Sequence, residues 1–224
     1  MLAQIVLFDG FDPLDVVAPY EVLFAGGVAS AGGLTVELSS AEGPREVMGG
    51  SGPLSLRATA RLDPQRADLI VVPGASGRMP RGDGGSDDDG EDSVPVRLGR
   101  TLQTRLPAML REAWDRPGLT MATVCGGSLV LAMAGMLEGR HAVTHRLGMD
   151  LLDATGAIPI DARVVDDGDL VSGAGVTSGL DVSLYLLERE LGPRIALAVE
   201  KLFAYERRGT VWRRDGATPL DLGY

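Results

Sequence analysis

The stretch at residues 119–137, LTMATVCGGSLVLAMAGML, leaves this chain few ways to fold. Residues 119–124 are apolar or β-branched and have the length of a buried parallel strand, while residues 128–137 read as a helix of small and apolar residues. Cys125-Gly126-Gly127 then falls in the turn between them. A buried strand feeding straight into a helix belongs to an open α/β fold, whose sites are built at the carboxyl edge of the sheet.

Cys125 is the only cysteine in the chain. At such a turn it faces free backbone N–H groups and the positive end of a helix dipole, which favour the thiolate and predict a thiol pKa below the ordinary value of about 8.5. The two glycines after it let a substrate approach the backbone closely. The residues alone leave a second reading open, because a lone cysteine is also among the most commonly buried residues.

A chain of 224 residues, 45% of them hydrophobic, suits one α/β domain with a full core. A single cysteine excludes an internal disulfide and fits a reducing compartment. Met1 leads directly into LAQIVLF without a basic, cleavable leader or a bilayer-length apolar run, so the expectation is a cytoplasmic protein without a membrane partner. The formal net charge of −10 argues against nucleic acid. Half of it lies in residues 81–92, where six acids accompany one arginine; this acidic insert, at about 78–95, reads as a solvated loop because residues 81–92 offer no large apolar residue for a core. Its carboxylate spacing does not match a calcium-binding EF-hand, and no metal or cofactor is expected elsewhere.

Taken in order, residues 3–8 are a buried strand, and Asp12-Pro13 caps a helix over residues 14–25. Asp15 sits in its first turn, where an acid commonly does no more than complement the dipole. Glu21, flanked by apolar residues, is expected to be a partly buried anchor. A strand at 34–39, a hairpin of 45–48 with 54–58, and a buried strand at 68–72 follow. Pro73-Gly74-Ala75-Ser76-Gly77 is then a second glycine-bearing turn able to face the cysteine. A helix is predicted over 99–114, with Leu102, Leu106, Met109 and Leu110 on one face. Residues 141–145 hold both histidines; His141 and His145 share a face only on a regular strand, and each also reads as an ordinary satisfied histidine. A hairpin around Asp167-Gly168, helices at 178–191 and 193–205, and a basic tail close the chain.

Several segments together resemble the DJ-1/PfpI superfamily: LDVVAPYEV (14–22), VPGA (72–75), TVCGGSLVLA (123–132), GR…TH (139–145) and GAGVTSGLD (173–181). The match covers about residues 3–204 and is most similar to the isonitrile hydratase branch and to amidase-like domains of some transcription regulators. It implies a flavodoxin-like three-layer sandwich with a mainly parallel sheet, one domain over residues 1–206 with a tail at 207–224, and a homodimer. It also implies a nucleophilic Cys125 on a strained elbow, Asp15 as the acid bonded to it, and backbone N–H groups of Gly74 or Ala75 and of Gly126 as oxyanion donors. His145 is a possible accessory residue. Isonitrile hydratases usually carry Thr, and PfpI peptidases His, where this chain has Gly126.

The resemblance leaves three uses for one site. The first is hydration of an isonitrile, a small-molecule substrate, by Cys125 and Asp15. The second is glyoxalase-type chemistry on 2-oxoaldehydes with His145 transferring a proton. The third is a redox or ligand sensor in which Cys125 stops at a sulfinic acid.

Overall fold

A computed structural model describes residues 1–78, 90, 92–218 and 220. Most of the acidic insert lies outside these residues. Its two ends are described and meet: Arg78 N–H donates to Asp92 O at 3.1 Å, and Val94 N–H donates to Arg78 O at 2.9 Å.

The main sheet is built from β1 (Leu2–Val6), β2 (Thr35–Ser40), β5 (Ala60–Arg61), β6 (Leu69–Val72), β7 (Thr120–Val124), β10 (Val164–Asp166), β11 (Leu170–Gly173) and β12 (Trp212–Arg213). Their order is β12-β10-β11-β7-β6-β1-β2-β5, and only the β10–β11 hairpin pairs antiparallel. β6, β7 and β11 are buried along their whole length, which is why they read as continuous apolar runs rather than alternating ones. Two small sheets stand beside it: the expected hairpin of β3 (Arg45–Met48) with β4 (Ser55–Ala58), and a parallel pair of β8 (His141–Ala142) with β9 (Ile158–Pro159).

Helices α1 (Pro13–Ala29), α6 (Ser178–Leu191) and α7 (Pro193–Phe203) pack together as one layer. On the other face α2 (Val94–Thr101) and α5 (Met149–Ala154) pack against α4 (Gly127–Met133). The result is the expected three-layer, mainly parallel sandwich. Asp12 caps α1 as read, its Oδ1 accepting Leu14 N–H at 2.9 Å with Pro13 at the first helical position.

Four expectations change. The helix predicted at 99–114 is two: α2 ends at Thr101, and α3 (Leu106–Trp114) starts afresh. Thr101 and Thr104 hydroxyls fold back onto Leu98 O and Thr101 O, and Pro107 has no N–H with which to continue the earlier helix. Leu102 therefore leaves the buried face on which Leu106, Met109 and Leu110 remain. Glu21 is exposed rather than an anchor, since α1 turns it away from its packed partners. The segment read as a tail contributes an edge strand, Trp212–Arg213 pairing in parallel with Val165–Asp166. The segment at 141–145 is a strand for only two residues, so its histidines diverge.

Candidate active site

The chain order of the sheet reverses at β1, whose neighbours are β2 on one side and β6 on the other. Ligand crevices of open α/β sheets lie outside the carboxyl ends of strands at such a point. Three loops converge there. β1 leads through Asp12 into α1, β6 ends at Pro73-Gly74, and β7 ends at Cys125; Val72 and Thr123 are in register, so the last two turns lie side by side.

Cys125 has φ +54°, a left-handed conformation that costs a non-glycine residue about 1–3 kcal/mol and persists only where its surroundings impose it. The restraints can be named. Its N–H donates to Gly173 O at 3.0 Å, and its carbonyl accepts the buried Thr144 hydroxyl at 2.8 Å. Ser128 accepts from Thr123 Oγ1 at 2.6 Å and donates its one hydroxyl hydrogen to Val143 O at 2.6 Å, tying the first turn of α4 to the segment that carries Thr144. Gly127 is obligatory, because a Cβ there would stand 2.0 Å from Val72 O. At Gly126 a Cβ would meet Gly74 Cα and Leu98 Cδ1 at 3.4 Å, a tight but passable fit.

Asp15 is fully buried and reaches the same point from α1. Its Oδ2 accepts Gly74 N–H at 2.9 Å. Its Oδ1 has no partner of good hydrogen-bond geometry among the described residues, although the thiol of Cys125 lies close enough to interact with the carboxyl and favour its charged form. Burial dominates this balance and, with the nearby charge of Asp12, pushes the Asp15 carboxyl well above the usual carboxylate range; the bonds from Gly74 and Cys125 offset only part of it.

The same burial pushes the Cys125 thiol up, and the carboxylate form of Asp15 pushes it further, against the single Gly126 N–H that favours the thiolate. This reverses the expectation of a thiolate at neutral pH. The dipole and the amide donor of the elbow are present, but removing the sulfur from water outweighs them. Burial thus biases both groups toward their protonated forms.

A cavity of about 280 Å³ opens over Cys125. Its wall is mainly apolar, with Ala75 after β6, Leu98 from α2, Leu129 and Met133 from α4, and Leu147 and Leu151 around α5; Ser76, Asp12 and His145 supply the polar edges. His145 thus joins the site, with Nδ1 accepting Leu147 N–H at 3.3 Å, which leaves the ring proton on Nε2. His141 does not join it: its Nδ1 lies 3.0 Å from buried Asp167 and its ring lies against Trp212. Gly74 is placed as expected but its N–H is committed to Asp15, so a substrate oxyanion would have to look to Ala75 and Gly126. The Gly74–Asp15 and Thr144–Cys125 bonds left no mark in the sequence, since hydroxyl and glycine positions carry no periodic signal. Among the described residues no cluster of His, Cys, Asp and Glu suits a metal, and no helix is long and apolar enough to cross a membrane.

Isonitrile hydratase of Pseudomonas putida is 33% identical over 201 residues, 89% of this chain and 76% of that protein. The chain belongs to the DJ-1/PfpI family. The DJ-1/PfpI family model itself matches residues 95–189, from α2 through the elbow to α6. The HTH-type transcriptional regulator CdhR of Pseudomonas aeruginosa is 33% identical over 110 residues, which cover 48% of this chain but only 32% of the regulator. Among solved structures, a ThiJ/PfpI family protein from Pseudomonas syringae superposes with a TM-score of 0.73 at 25% identity, covering the whole of this chain and 78% of the other.

Proposed function

We propose that this DJ-1/PfpI protein is a cysteine-dependent hydratase of isonitrile hydratase type. One observation carries the reading: a fully buried acid, its carboxyl pushed up by that burial, stands beside a thiol on a strained elbow, at the floor of an apolar cavity. Hydration of R–N≡C needs a nucleophile and a proton donor at one carbon, and a neutral acid beside a thiol supplies both.

In this mechanism Cys125 Sγ bonds to the terminal carbon while Asp15 delivers its proton to that same carbon and takes up the proton leaving sulfur. The product is the thioimidate Cys–S–CH=N–R. Water directed by Asp15 adds to the C=N carbon, nitrogen is protonated, the C–S bond breaks, and R–NH–CHO departs with the thiol restored. The sum is one isonitrile and one water to one N-substituted formamide. The apolar wall suits an uncharged R group, and Ala75 and Gly126 are the backbone positions next to the oxygen that develops in the second step.

The presence of His145 on the wall favours a second reading, glyoxalase-type turnover of 2-oxoaldehydes, with Nε2–H assisting proton transfer. The apolar lining ranks it below the first. A panel of aliphatic isonitriles and 2-oxoaldehydes, run on wild type, Cys125→Ala and Asp15→Asn, decides between them. Loss of isonitrile turnover in both folded variants is the expected result, and full activity of Cys125→Ala ends the mechanism. Ready peroxide oxidation of Cys125 to the sulfinic acid with no turnover of either class points to a sensor instead. A cytoplasmic homodimer completes the proposal, and sedimentation of the purified chain as a monomer removes that part of it.

A further inference from the structure

Two cavities flank α2, and neighbouring residues of that helix face them. Leu98 lines the cysteine cavity, whereas Arg97 lines a second cavity of about 310 Å³, of mixed polar and apolar lining, between the ends of β1 and β2, the β3–β4 hairpin and α2. Of the charged residues lining this second space, Arg45 pairs with Asp9 and Glu42 and Arg97 with Asp92, so it is not an evident ion site. What sets Arg97 apart is its other bonds. Nη1 donates to two carbonyls from different loops, Gly50 O at 2.9 Å and Ser76 O, while Nη2 donates to Asp92 Oδ1 at 2.8 Å.

The surrounding backbone is shaped to admit this side chain. A Cβ on Gly10 would stand 2.7 Å from Arg97 Cδ, and one on Gly50 would stand 2.4 Å from Nη1 and 2.1 Å from Ser76 O. Two loops therefore give up side chains where the guanidinium passes. Ser76 belongs to the turn after β6, and that turn is strung between two ends. At one end Ser76 O is held by Arg97; at the other Gly74 N–H holds Asp15 Oδ2, with Gly74 O accepting Asp12 N–H at 2.9 Å.

We propose that Arg97 is the positioning residue of the site, a clamp that fixes the Gly74–Gly77 turn and through it the Asp15 carboxyl and the Ala75 wall of the cysteine cavity. It touches neither Cys125 nor the cavity. It acts by giving one planar donor to two carbonyls at once, which an ammonium on a flexible stem does not reproduce. Only the kinetic consequence rests on the hydratase reading; the clamp itself does not.

The test uses the full chain with Arg97→Lys, which keeps the charge and most of the packing stem, and Arg97→Ala, with Asp92→Asn as the control for the exposed ion pair. Amide exchange is followed in residues 73–78, where every residue but Pro73 has an N–H, and, for reference, in β10–β11. The clamp predicts exchange in 73–78 faster by about ten-fold or more in both Arg97 variants, with the reference strands and Asp92→Asn unchanged. On isonitrile it predicts kcat lower by about ten-fold to a hundred-fold with KM within about three-fold, and partial recovery of Arg97→Ala by millimolar methylguanidine entering the second cavity. Wild-type exchange at 73–78 in both variants overturns the proposal, as does a loosened turn with unchanged kcat. If wild type hydrates no isonitrile, the hydratase reading fails alone and the exchange comparison still decides the clamp.

Discussion

Asp15 and Asp181 are the same residue in the same kind of place, the first turn of a long helix, and both are essentially sealed from solvent. Their partners differ. Asp181 Oδ2 accepts Arg163 Nε at 2.8 Å and the Tyr205 hydroxyl at 2.9 Å, and its Oδ1 accepts Arg208 N–H at 2.7 Å, so every direction is answered and a cation is at hand. Among the described residues Asp15 has one amide, no cation and an oxygen left over. A buried carboxylate with a full set of donors holds structure together, here pinning the chain at 205–208 to α6. One without them has its carboxyl pushed up by burial and an oxygen left without a partner.

The strongest way to break this contrast is to remove the acid function from each. Asp15→Asn is expected to lower turnover by about 10²- to 10⁴-fold, the usual weight of a positioned proton donor, whereas Asp181→Asn leaves kcat within about three-fold of wild type. On stability the order inverts: Asp181→Asn leaves Arg163 without its carboxylate and is expected to cost about 3 kcal/mol, which thermal unfolding reads as a fall of about 6–12 °C in a chain of this size.

Titration sharpens the same comparison. The unfolded chain releases the Asp15 proton near the ordinary value of about 3.9, but the fold holds it to higher pH. The neutral acid therefore contributes its full stability below about pH 4, and that contribution declines as pH rises toward the raised folded value, by at most about 1.4 kcal/mol per pH unit. Asp15→Asn imitates the protonated acid and should unfold at higher urea than wild type, with a margin that widens from pH 4.5 to 7. A margin that shrinks over that interval contradicts a carboxyl pushed up by burial. Alkylation of Cys125 by iodoacetamide should likewise keep climbing beyond pH 8.5, where an ordinary thiol levels off, because burial pushes this one up.

The smallest effect concerns the elbow. Thr144→Val removes the hydroxyl that holds Cys125 O and is expected to cost about 1–3 kcal/mol, with Thr144→Ser close to wild type.

Much of the fold was legible in the sequence because burial on both sides writes long apolar runs. β6 and β7 were placed within a residue or so, and the Asp12-Pro13 cap and both hairpins follow from local chemistry that needs no tertiary partner. The break at Leu102 was not, since apolar spacing persists across a gap that two threonines and a proline enforce. Nor was β12, two residues whose strand character comes only from β10 lying beside them. In the site, Cys125 stood out by its turn. The residues alone gave Asp15 the same standing as any first-turn acid; the family resemblance singled it out, and only its missing partners explain why. The thiol's charge was misjudged because a helix dipole can be read from a sequence and desolvation cannot.

The two glycines after the cysteine have unequal freedom. Residue 127 cannot carry a side chain without striking Val72 O, but residue 126 has 3.4 Å to its nearest neighbours. A designer wishing to graft a hydroxyl or an imidazole next to the sulfur has one address for it, and the neighbour that must yield is Leu98. New reactivity at this bend can be explored one substitution at a time, with the scaffold beneath left as it stands.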